Sequence, residues 1–265
     1  MLLLDNLITI QDTWQLLSLC LFAFLAGLVD SIVGGGGLIQ LPALLVVLPN
    51  TALPLLLGTN KLASIAGTTV AAIRFSLQIK IDFAIVGVAA IAAFIFSFLG
   101  ARTVSIINPE ILRPIILLIL IAVAIYTFIN KNFGSQHIFS QATMQKITYA
   151  AIIGCSIGFY DGFLGPGTGS FLIFAFIGVV GFDFLRASAS AKIVNFCTNL
   201  AALIYFIPSN NVIYYIAIPM ALCNICGAII GTKLAVLKGN HFIRNLFLIV
   251  VSALIIKLAH DIVFS

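Results

Sequence analysis

The stretch Asp30-Ser31-Ile32-Val33-Gly34-Gly35-Gly36-Gly37 decides the fold. Four consecutive glycines cannot continue a helix, because each costs about 1 kcal/mol relative to alanine in a helix interior. The segment before them is apolar, and so is the short segment after them, residues 38–48. In a membrane, a broken helix is tolerated only where the break is buried in protein or lines a polar cavity. The glycines therefore mark either a membrane boundary or a site.

The composition places the chain in a membrane. Hydrophobic residues make up 62% and charged residues 8% of its 265 residues, whereas soluble domains carry about 25% charged residues. The apolar segments are too long for strands and do not alternate, so we predict an all-α polytopic membrane protein whose partner is the lipid bilayer. The net charge of +5 calls for no nucleic-acid partner, because lysines and arginines outside the spans usually set membrane topology.

Eight apolar segments are long enough to span a hydrocarbon core of about 30 Å, which needs about 20 residues. Two shorter ones, 38–48 and 171–180, cover only about half a bilayer, and such segments are typically re-entrant or discontinuous helices. The eight predicted spans are 14–33, 61–77, 82–104, 111–129, 146–164, 187–207, 212–236 and 242–263.

An internal repeat predicts the architecture. Shifting the chain by 131 residues brings many distinctive residues of the first half onto identical residues of the second half. We predict two tandem repeats of four spans, at 1–130 and 146–265, each with one short broken helix after a glycine-rich loop, and a polar linker at 131–145. The matching pairs are Gly27 and Gly158, Asp30 and Asp161, Gly34 and Gly165, Gly36 and Gly167, Lys61 and Lys192, Ala71 and Ala202, Phe75 and Phe206, Gly100 and Gly231, and Arg113 and Arg244.

The number of crossings decides how the halves are related. Four crossings per half give a parallel repeat, and five give an inverted one. With eight crossings and the N-terminus outside, eight basic residues fall inside and five outside, which favours periplasmic N- and C-termini. If the short segments cross fully, the halves become inverted and this assignment fails.

Four ionisable residues fall within or beside predicted spans, as two repeat-related pairs: Asp30 with Asp161, and Lys61 with Lys192. An ionisable residue at membrane depth is costly and indicates function by default. The alternative is structural: each aspartate caps a helix or pairs with a lysine, and each lysine extends its ammonium group to the interface. A matching set in both halves favours function.

The polar residues near these charges predict a site for a small anion. Backbone N–H groups at a helix N-terminus attract anions, and a second glycine loop, 165–170, opens the second short segment. Polar side chains on the second and sixth spans could instead serve only as interhelical hydrogen bonds. The predicted substrate-binding residues are Gly34, Gly35, Gly36, Gly37, Asn60, Lys61, Ser64, Gly165, Gly167, Thr168, Lys192, Asn195 and Asn199, and Asp30 and Asp161 would carry protons or hold the lysines.

No catalytic or metal motif appears in the sequence. The three histidines lie outside the spans or at their ends, and the pair Cys223 and Cys226 has no second pair or nearby histidine to complete a metal site. We therefore predict neither a cofactor nor a bound metal, and we predict that the chain is not an enzyme.

Four motifs resemble the TauE/SafE sulfite exporter family, also called 4-toluene sulfonate uptake permeases, and in particular its YfcA-like branch. They lie at 27–45, 58–64, 158–170 and 189–195, and the resemblance covers nearly the whole chain. It implies a bacterial inner-membrane permease of two repeated halves that carries sulfur-containing anions such as sulfite, sulfoacetate, thiosulfate or aryl sulfonates.

Together these observations predict a secondary transporter for a small sulfur-containing or organic oxyanion. If Asp30 and Asp161 carry protons, transport of the anion is coupled to protons. Two other classes stay open at this stage. One is a passive anion channel, and the other is a structural membrane protein that uses its glycines for close helix packing.

Overall fold

A computed structural model describes residues 13–104 and 143–263 of the chain. Every regular element in these two ranges is helical, as the sequence predicts. The predicted span 111–129 lies outside the described residues. The helices are α1 (Thr13–Val33), α2 (Gly37–Val47), α3 (Leu53–Gln78), α4 (Phe83–Thr103), α5 (Thr143–Phe163), α6 (Thr168–Ala175, continued by the π-helical turn Phe176–Val180), α7 (Phe184–Phe206) and α8 (Tyr214–Val263).

Four of the described helices, α1, α4, α7 and α8, are long and apolar enough to cross a membrane. Helices α3 and α5 have the length, with 26 and 21 residues, but they carry polar residues such as Lys61 and Asp161. Helix α8 covers the last two predicted spans and is interrupted between them at Gly239, which has φ 67° and ψ −163°. Helix α3 begins earlier than predicted, because Pro54 is well suited to the first turn of a helix.

Both predicted glycine breaks end a long helix and begin a short one. After α1, Gly34 and Gly35 take left-handed φ angles of 73° and 95°. After α5, Gly165 and Gly167 do the same, with φ of 87° and 86°. Side chains are disfavoured in this region because their Cβ atom approaches the following carbonyl oxygen, so glycine is the residue that permits both turns.

Two apolar clusters, one on each side of the glycine turns, reveal the direction of each helix. The first cluster includes Val33 at the end of α1 and Ile153 near the start of α5. The second includes Leu19 near the start of α1 and Phe163 at the end of α5. Helices α1 and α5 therefore run in opposite directions. By the same criterion α3 and α8 run with α1, and α4 and α7 run with α5.

The long helices form two bundles of three parallel helices. One bundle contains α1, α3 and α8, and the other contains α4, α5 and α7; α3 and α7 join them. Close helix packing at glycines holds each bundle, as is common in membrane helices. In the second bundle, three glycines of α5 spaced four apart pack on three residues of α4 in the same order: Gly154 on Ala89, Gly158 on Ala93, and Gly162 on Ser97.

The two short helices fold back beside the helices that precede them. A Cβ added at Gly36, just before α2, would lie 2.7 Å from the carbonyl oxygen of Ala26 in α1. Helix α2 then runs from Leu38, in the first cluster, to Leu44 in the second, where α1 began. Helix α3 consequently starts at the same side as α1. The eight-crossing assignment from the sequence kept each short segment on the side where the preceding span ends, and it left open the alternative in which the segment crosses. Length alone does not reveal that the chain reverses at the glycines.

Candidate functional site

The two glycine turns meet at the junction of the bundles. A Cβ on Gly34 would lie 2.2 Å from the carbonyl carbon of Gly169, which leaves no room for a side chain. Ser170 donates a hydrogen bond to the carbonyl oxygen of Val33 at 3.2 Å. The structure thus brings together two segments that are far apart in the chain, and it requires glycine at their contact.

Two buried ion pairs flank these turns. Lys61 Nζ lies 2.7 Å from Asp161 Oδ2, with side chains 3% and 5% exposed. Lys192 Nζ lies 2.7 Å from Asp30 Oδ2, with side chains 0% and 19% exposed. Each pair joins the two bundles, because each lysine and its aspartate sit on helices of different bundles. A buried charge without a partner is strongly destabilising, so the opposite charges account for how two ammonium groups exist at this depth.

Asp30 differs from Asp161 in one respect besides its exposure. Its second oxygen, Oδ1, accepts a hydrogen bond from the backbone N–H of Gly36 at 3.1 Å. The first glycine turn is therefore tied to the ion pair of Lys192. At the second turn, a Cβ on Gly165 would lie 3.1 Å from Lys61 Nζ, so the missing side chain leaves space for the ammonium group.

A small cavity of about 30 Å³ lies between the two turns. This volume holds about one or two water molecules. Of the predicted site residues, the cavity excludes Gly34, Gly36 and Lys192 from its lining and includes all the others. The lining residues are Asp30, Gly35, Gly37, Asn60, Lys61, Ser64, Thr68, Asp161, Gly165, Gly167, Thr168, Gly169, Asn195 and Asn199.

Several polar groups of this lining are available to a ligand. Thr68 and Thr168 already donate their hydroxyl protons to the carbonyl oxygens of Ser64 and Gly165. The side chains of Asn195 and Asn199, by contrast, have no hydrogen-bond partner among the described residues, although both residues are buried, with only 6% of each exposed. Buried polar groups normally find partners, so these amides indicate a place for a polar ligand or ordered water.

Asn60 is the most informative of these residues. Its Oδ1 atom is buried and has no hydrogen-bond partner in the described part of the chain. Its backbone carbonyl oxygen accepts a hydrogen bond from Gln40 Nε2 at 3.2 Å. Asn224 Nδ2 in turn donates to Gln40 Oε1 at 3.0 Å and to the carbonyl oxygen of Ala23 at 3.1 Å. This chain of amides fixes α2 and α3 against α1 and α8.

Thr68 and Gly169 line the cavity but are not among the predicted substrate-binding residues. The sequence places Thr68 four residues after Ser64, on the same polar face of the helix, and Gly169 in the second glycine loop. Sequence reasoning missed Gln40 and Asn224, which support the lining. Gln40 and Asn224 are polar residues in otherwise apolar segments, which is the available signal for them. Nothing in the sequence indicates that they contact each other, 184 positions apart.

Long apolar helices around a buried, charged cavity define a multi-pass α-helical membrane protein. Residues 19–258 match the family described as Sulfite exporter TauE/SafE. The chain belongs to this family of membrane transporters, which confirms the resemblance seen in its glycine motifs.

The similar proteins carry transporter names as well. The chain is 34% identical over 239 residues to the "Probable membrane transporter protein YfcA" of Escherichia coli strain K12, covering 90% of this chain and 87% of the relative. It is 35% identical over 241 residues to the "Probable membrane transporter protein ORF9" of Sinorhizobium sp, covering 90% of each. It is 30% identical over 240 residues to a "Probable membrane transporter protein" of Haemophilus influenzae, covering 90% of this chain and 92% of the relative. No solved structure matches the chain. The family and these relatives are transporters and not enzymes, as predicted.

Proposed function

We propose that this chain is a secondary permease for a small anion, and that the cavity between the glycine turns binds it. The observation that carries the proposal is the pair of buried lysine–aspartate contacts, Lys61 with Asp161 and Lys192 with Asp30, at a polar cavity where two membrane helices are broken. Buried polar and charged residues are a costly way to hold helices together, and in transporters they surround the substrate.

The charges support coupling to protons. The charges of the two lysines and two aspartates sum to zero. A monovalent anion that enters alone would therefore leave one uncompensated negative charge in a buried site. Such a charge is expensive in a low-dielectric interior. A proton taken up by Asp30 or Asp161 restores neutrality and releases the partner lysine to contact the anion. Movement of the anion together with a proton is therefore the neutral, and less costly, process.

The uncharged groups supply the remaining contacts. The amides of Asn195 and Asn199 and the hydroxyl of Ser64 can donate hydrogen bonds to oxyanion oxygens. Helices α2 and α6 begin at the cavity with backbone N–H groups at their N-termini, next to Gly36 and Gly167. Asn60 Oδ1, a buried acceptor without a partner in the part of the chain that the structure describes, suits a water molecule or a protonated anion.

The size of the cavity supports alternating access. At about 30 Å³ it holds no more than one or two waters, so an oxyanion with four or more heavy atoms requires it to widen. The site lies where the two three-helix bundles meet, and we propose that they move against each other as the cavity opens to one side and then the other. A permanently open anion channel fits this small volume poorly.

We further propose that the chain consists of two inverted repeats, 1–130 and 146–265, with the linker 131–145 between them. The span 111–129 completes eight long transmembrane helices, and the short helix of each half, α2 or α6, provides its fifth crossing. Contacts related by the offset of 131 support this. Gly27 packs on Asn224, and the related residues Gly158 and Ala93 pack on each other. Helices α1 and α5, which the offset relates, run in opposite directions.

The basic residues support a topology with both termini outside. Apart from Lys61 and Lys192, seven of the eight lysines and arginines with described side chains lie at the side of the first apolar cluster, where α1 ends. An excess of this kind is typical of the cytoplasmic side. We propose a bacterial inner-membrane protein in which α1 begins at the periplasm. The seven are Arg74, Lys80, Lys146, Arg186, Lys233, Lys238 and Arg244, and the eighth is Arg102.

The identity of the anion rests on the family. Its printed description names sulfite export, so we propose sulfite or a related organosulfonate such as sulfoacetate as the substrate. The site contains the donors and positive charges that any oxyanion of this size needs, and sulfur itself is not recognised by the lining residues.

The test is uptake of labelled sulfite and sulfoacetate by proteoliposomes that contain the purified chain, with and without an imposed pH gradient. We expect accumulation that responds to the gradient and that is lost in Lys61→Ala and Lys192→Ala. Lys233→Ala is the matched control, because Lys233 is exposed and does not line the cavity. Wild-type uptake by both site variants would refute the site, and rapid flux without accumulation would indicate a channel.

A further inference from the structure

A second, larger cavity of about 410 Å³ lies at the side where the basic residues collect. It is formed where α4, α5 and α7 begin, within one bundle, and it does not share a lining residue with the cavity between the glycine turns. Three basic side chains line it: Lys80, Lys146 and Arg186. We name it the basic cavity.

The two carboxylates in and beside the basic cavity already accept hydrogen bonds from backbone N–H groups. Asp82 lines the cavity, but its Oδ1 accepts hydrogen bonds from the backbone N–H groups of Ala84 and Ile85 at the start of α4. Asp183 accepts one from the backbone N–H of Arg186 at the start of α7, and its contact with the guanidinium is a long one, 3.5 Å between Arg186 Nε and Asp183 Oδ2.

Lys80 and Arg186 retain hydrogen-bond donors for a ligand. Lys80 is exposed, and its ammonium group has no partner among the described residues. Arg186 carries five N–H donors, and its contact with Asp183 is made through Nε. Ser190, one turn further along α7, adds a hydroxyl group to the lining. Three parallel helices begin at this cavity, and the positive ends of their dipoles add to the charge of the side chains.

Comparison with the repeat-related positions shows that this charge is specific to one face. The residues 131 positions away from Lys80, Lys146 and Arg186 are Asn211, Gln15 and Leu55. They lie where α8, α1 and α3 begin, at the opposite face of the molecule. Three helices thus begin together at each of the two faces, but only one face carries the three basic side chains. They are not a requirement for packing three helix starts together.

We propose that the basic cavity is a second binding site, separate from the cavity between the glycine turns, for an oxyanion group at the end of the molecule where α4, α5 and α7 begin. The oxyanion is either a free sulfate-like or phosphate-like ion or the phosphate of an anionic phospholipid. Both fit the same donors, and Phe83 at the rim is 64% exposed, so the cavity borders on the lipid-facing surface. A volume of about 410 Å³ accommodates either group.

The test measures thermal unfolding of the purified full chain. The first arm adds sodium sulfate in detergent, with sodium chloride at equal ionic strength as the reference. The second arm compares nanodiscs of phosphatidylglycerol with nanodiscs of phosphatidylcholine. The key variant is Lys80→Asn/Arg186→Leu, which installs the residues of the opposite face; both side chains are at least partly exposed, so folding should survive. Lys146, which is buried, is kept.

We expect this variant to raise the half-saturating sulfate concentration by roughly tenfold or more, or to abolish the stabilisation by phosphatidylglycerol over phosphatidylcholine. The first result identifies a free oxyanion and the second a lipid phosphate. The variant Lys233→Ala, which removes an exposed basic residue that lines neither cavity, should behave like wild type in the arm that responds.

The proposal is overturned if Lys80→Asn/Arg186→Leu matches wild type in both arms. It is also overturned if chloride reproduces the sulfate effect and the two lipids are equivalent. The basic residues would then act only in membrane topology. Because the readout is binding, it stands apart from transport: loss of uptake in the Lys61 and Lys192 variants leaves this result unaffected, and the reverse also holds.

Discussion

Lys61 Nζ contacts Asp161 Oδ2 at 2.7 Å across the junction of the two helix bundles, although the two residues are 100 positions apart. Adding 131 to the number of the lysine and subtracting 131 from that of the aspartate gives Lys192 and Asp30, which form the second pair at the same distance. The two contacts are therefore related by the internal repeat, and each lysine is paired with the aspartate of the other half.

Removing one charge of a pair should affect stability and transport together. Lys61→Ala leaves Asp161 charged in a site where it is 5% exposed, and breaking a buried pair in this way costs about 3–5 kcal/mol. Replacing both partners, as in Lys61→Met/Asp161→Leu, leaves no buried charge and should recover most of that loss. Transport should stay absent. Thermal unfolding and uptake by the same preparations measure both; recovered uptake in the double variant would mean that the pair only holds the fold.

The two aspartates should differ in how strongly they affect stability. Asp30 is 19% exposed, against 5% for Asp161, so water screens the ion pair of Asp30 and Lys192 more than the pair of Asp161 and Lys61. Asp30→Asn should therefore destabilise the chain by about 1–2 kcal/mol less than Asp161→Asn, since exposure weakens the contribution of ion pairs. The unfolding midpoints of the two variants, measured in the same detergent, test this difference in stability. Equal losses would contradict it.

The sequence predicted the helices, the glycine breaks and nearly all of the cavity lining, because each of these leaves a local pattern. Long apolar runs define the spans, and Asp30 and Lys61 are conspicuous as charges among apolar residues. It could not predict which lysine meets which aspartate, since pairing within a half and pairing across halves give the same sequence. Nor could it predict that α1 and α3 run in the same direction, because this depends on the reversal at Gly34 and Gly35.

Glycine at position 165 should be required for the site. Alanine there must adopt a φ near 87°, which costs about 1–2 kcal/mol, and its Cβ would lie 3.1 Å from Lys61 Nζ. Gly165→Ala should thus lower both the unfolding free energy and the uptake rate. Gly87→Ala is the matched control, because its Cβ meets no atom within 4 Å, and in the helix α4 it should be neutral or stabilise by up to about 1 kcal/mol. Similar losses in both variants would count against a specific role for the turn.

Replacement by leucine should affect the stability of the chain differently at Asn60 and at Asn224. Asn60→Leu removes a buried Oδ1 that has no partner within residues 13–104 and 143–263, and relief of that desolvation, worth about 1–3 kcal/mol, should offset the altered packing. Stability should hold while uptake falls. Asn224→Leu removes the donor to Ala23 and Gln40 and leaves the buried Gln40 Oε1 without its donor, so it should destabilise by about 1–3 kcal/mol. Unfolding curves and uptake assays of both variants test this contrast, and a stability loss in Asn60→Leu as large as in Asn224→Leu would argue that Asn60 is only a packing residue.

Cysteine labelling can distinguish inverted from parallel halves. Gln78 ends α3 at the side of the first apolar cluster, and Ser209 follows α7 at the side of the second. In a background where the five native cysteines are replaced, Ser209→Cys in intact cells should react with a membrane-impermeant maleimide, and Gln78→Cys should react only after the membrane is opened. The parallel arrangement with eight crossings places both loops outside, so it requires both to react in intact cells.

The two positions are exposed, and labelling in opened cells confirms that each thiol is reactive. Reaction of Gln78→Cys alone in intact cells would keep the halves inverted and reverse the topology, with α1 beginning in the cytoplasm and the basic cavity facing the periplasm.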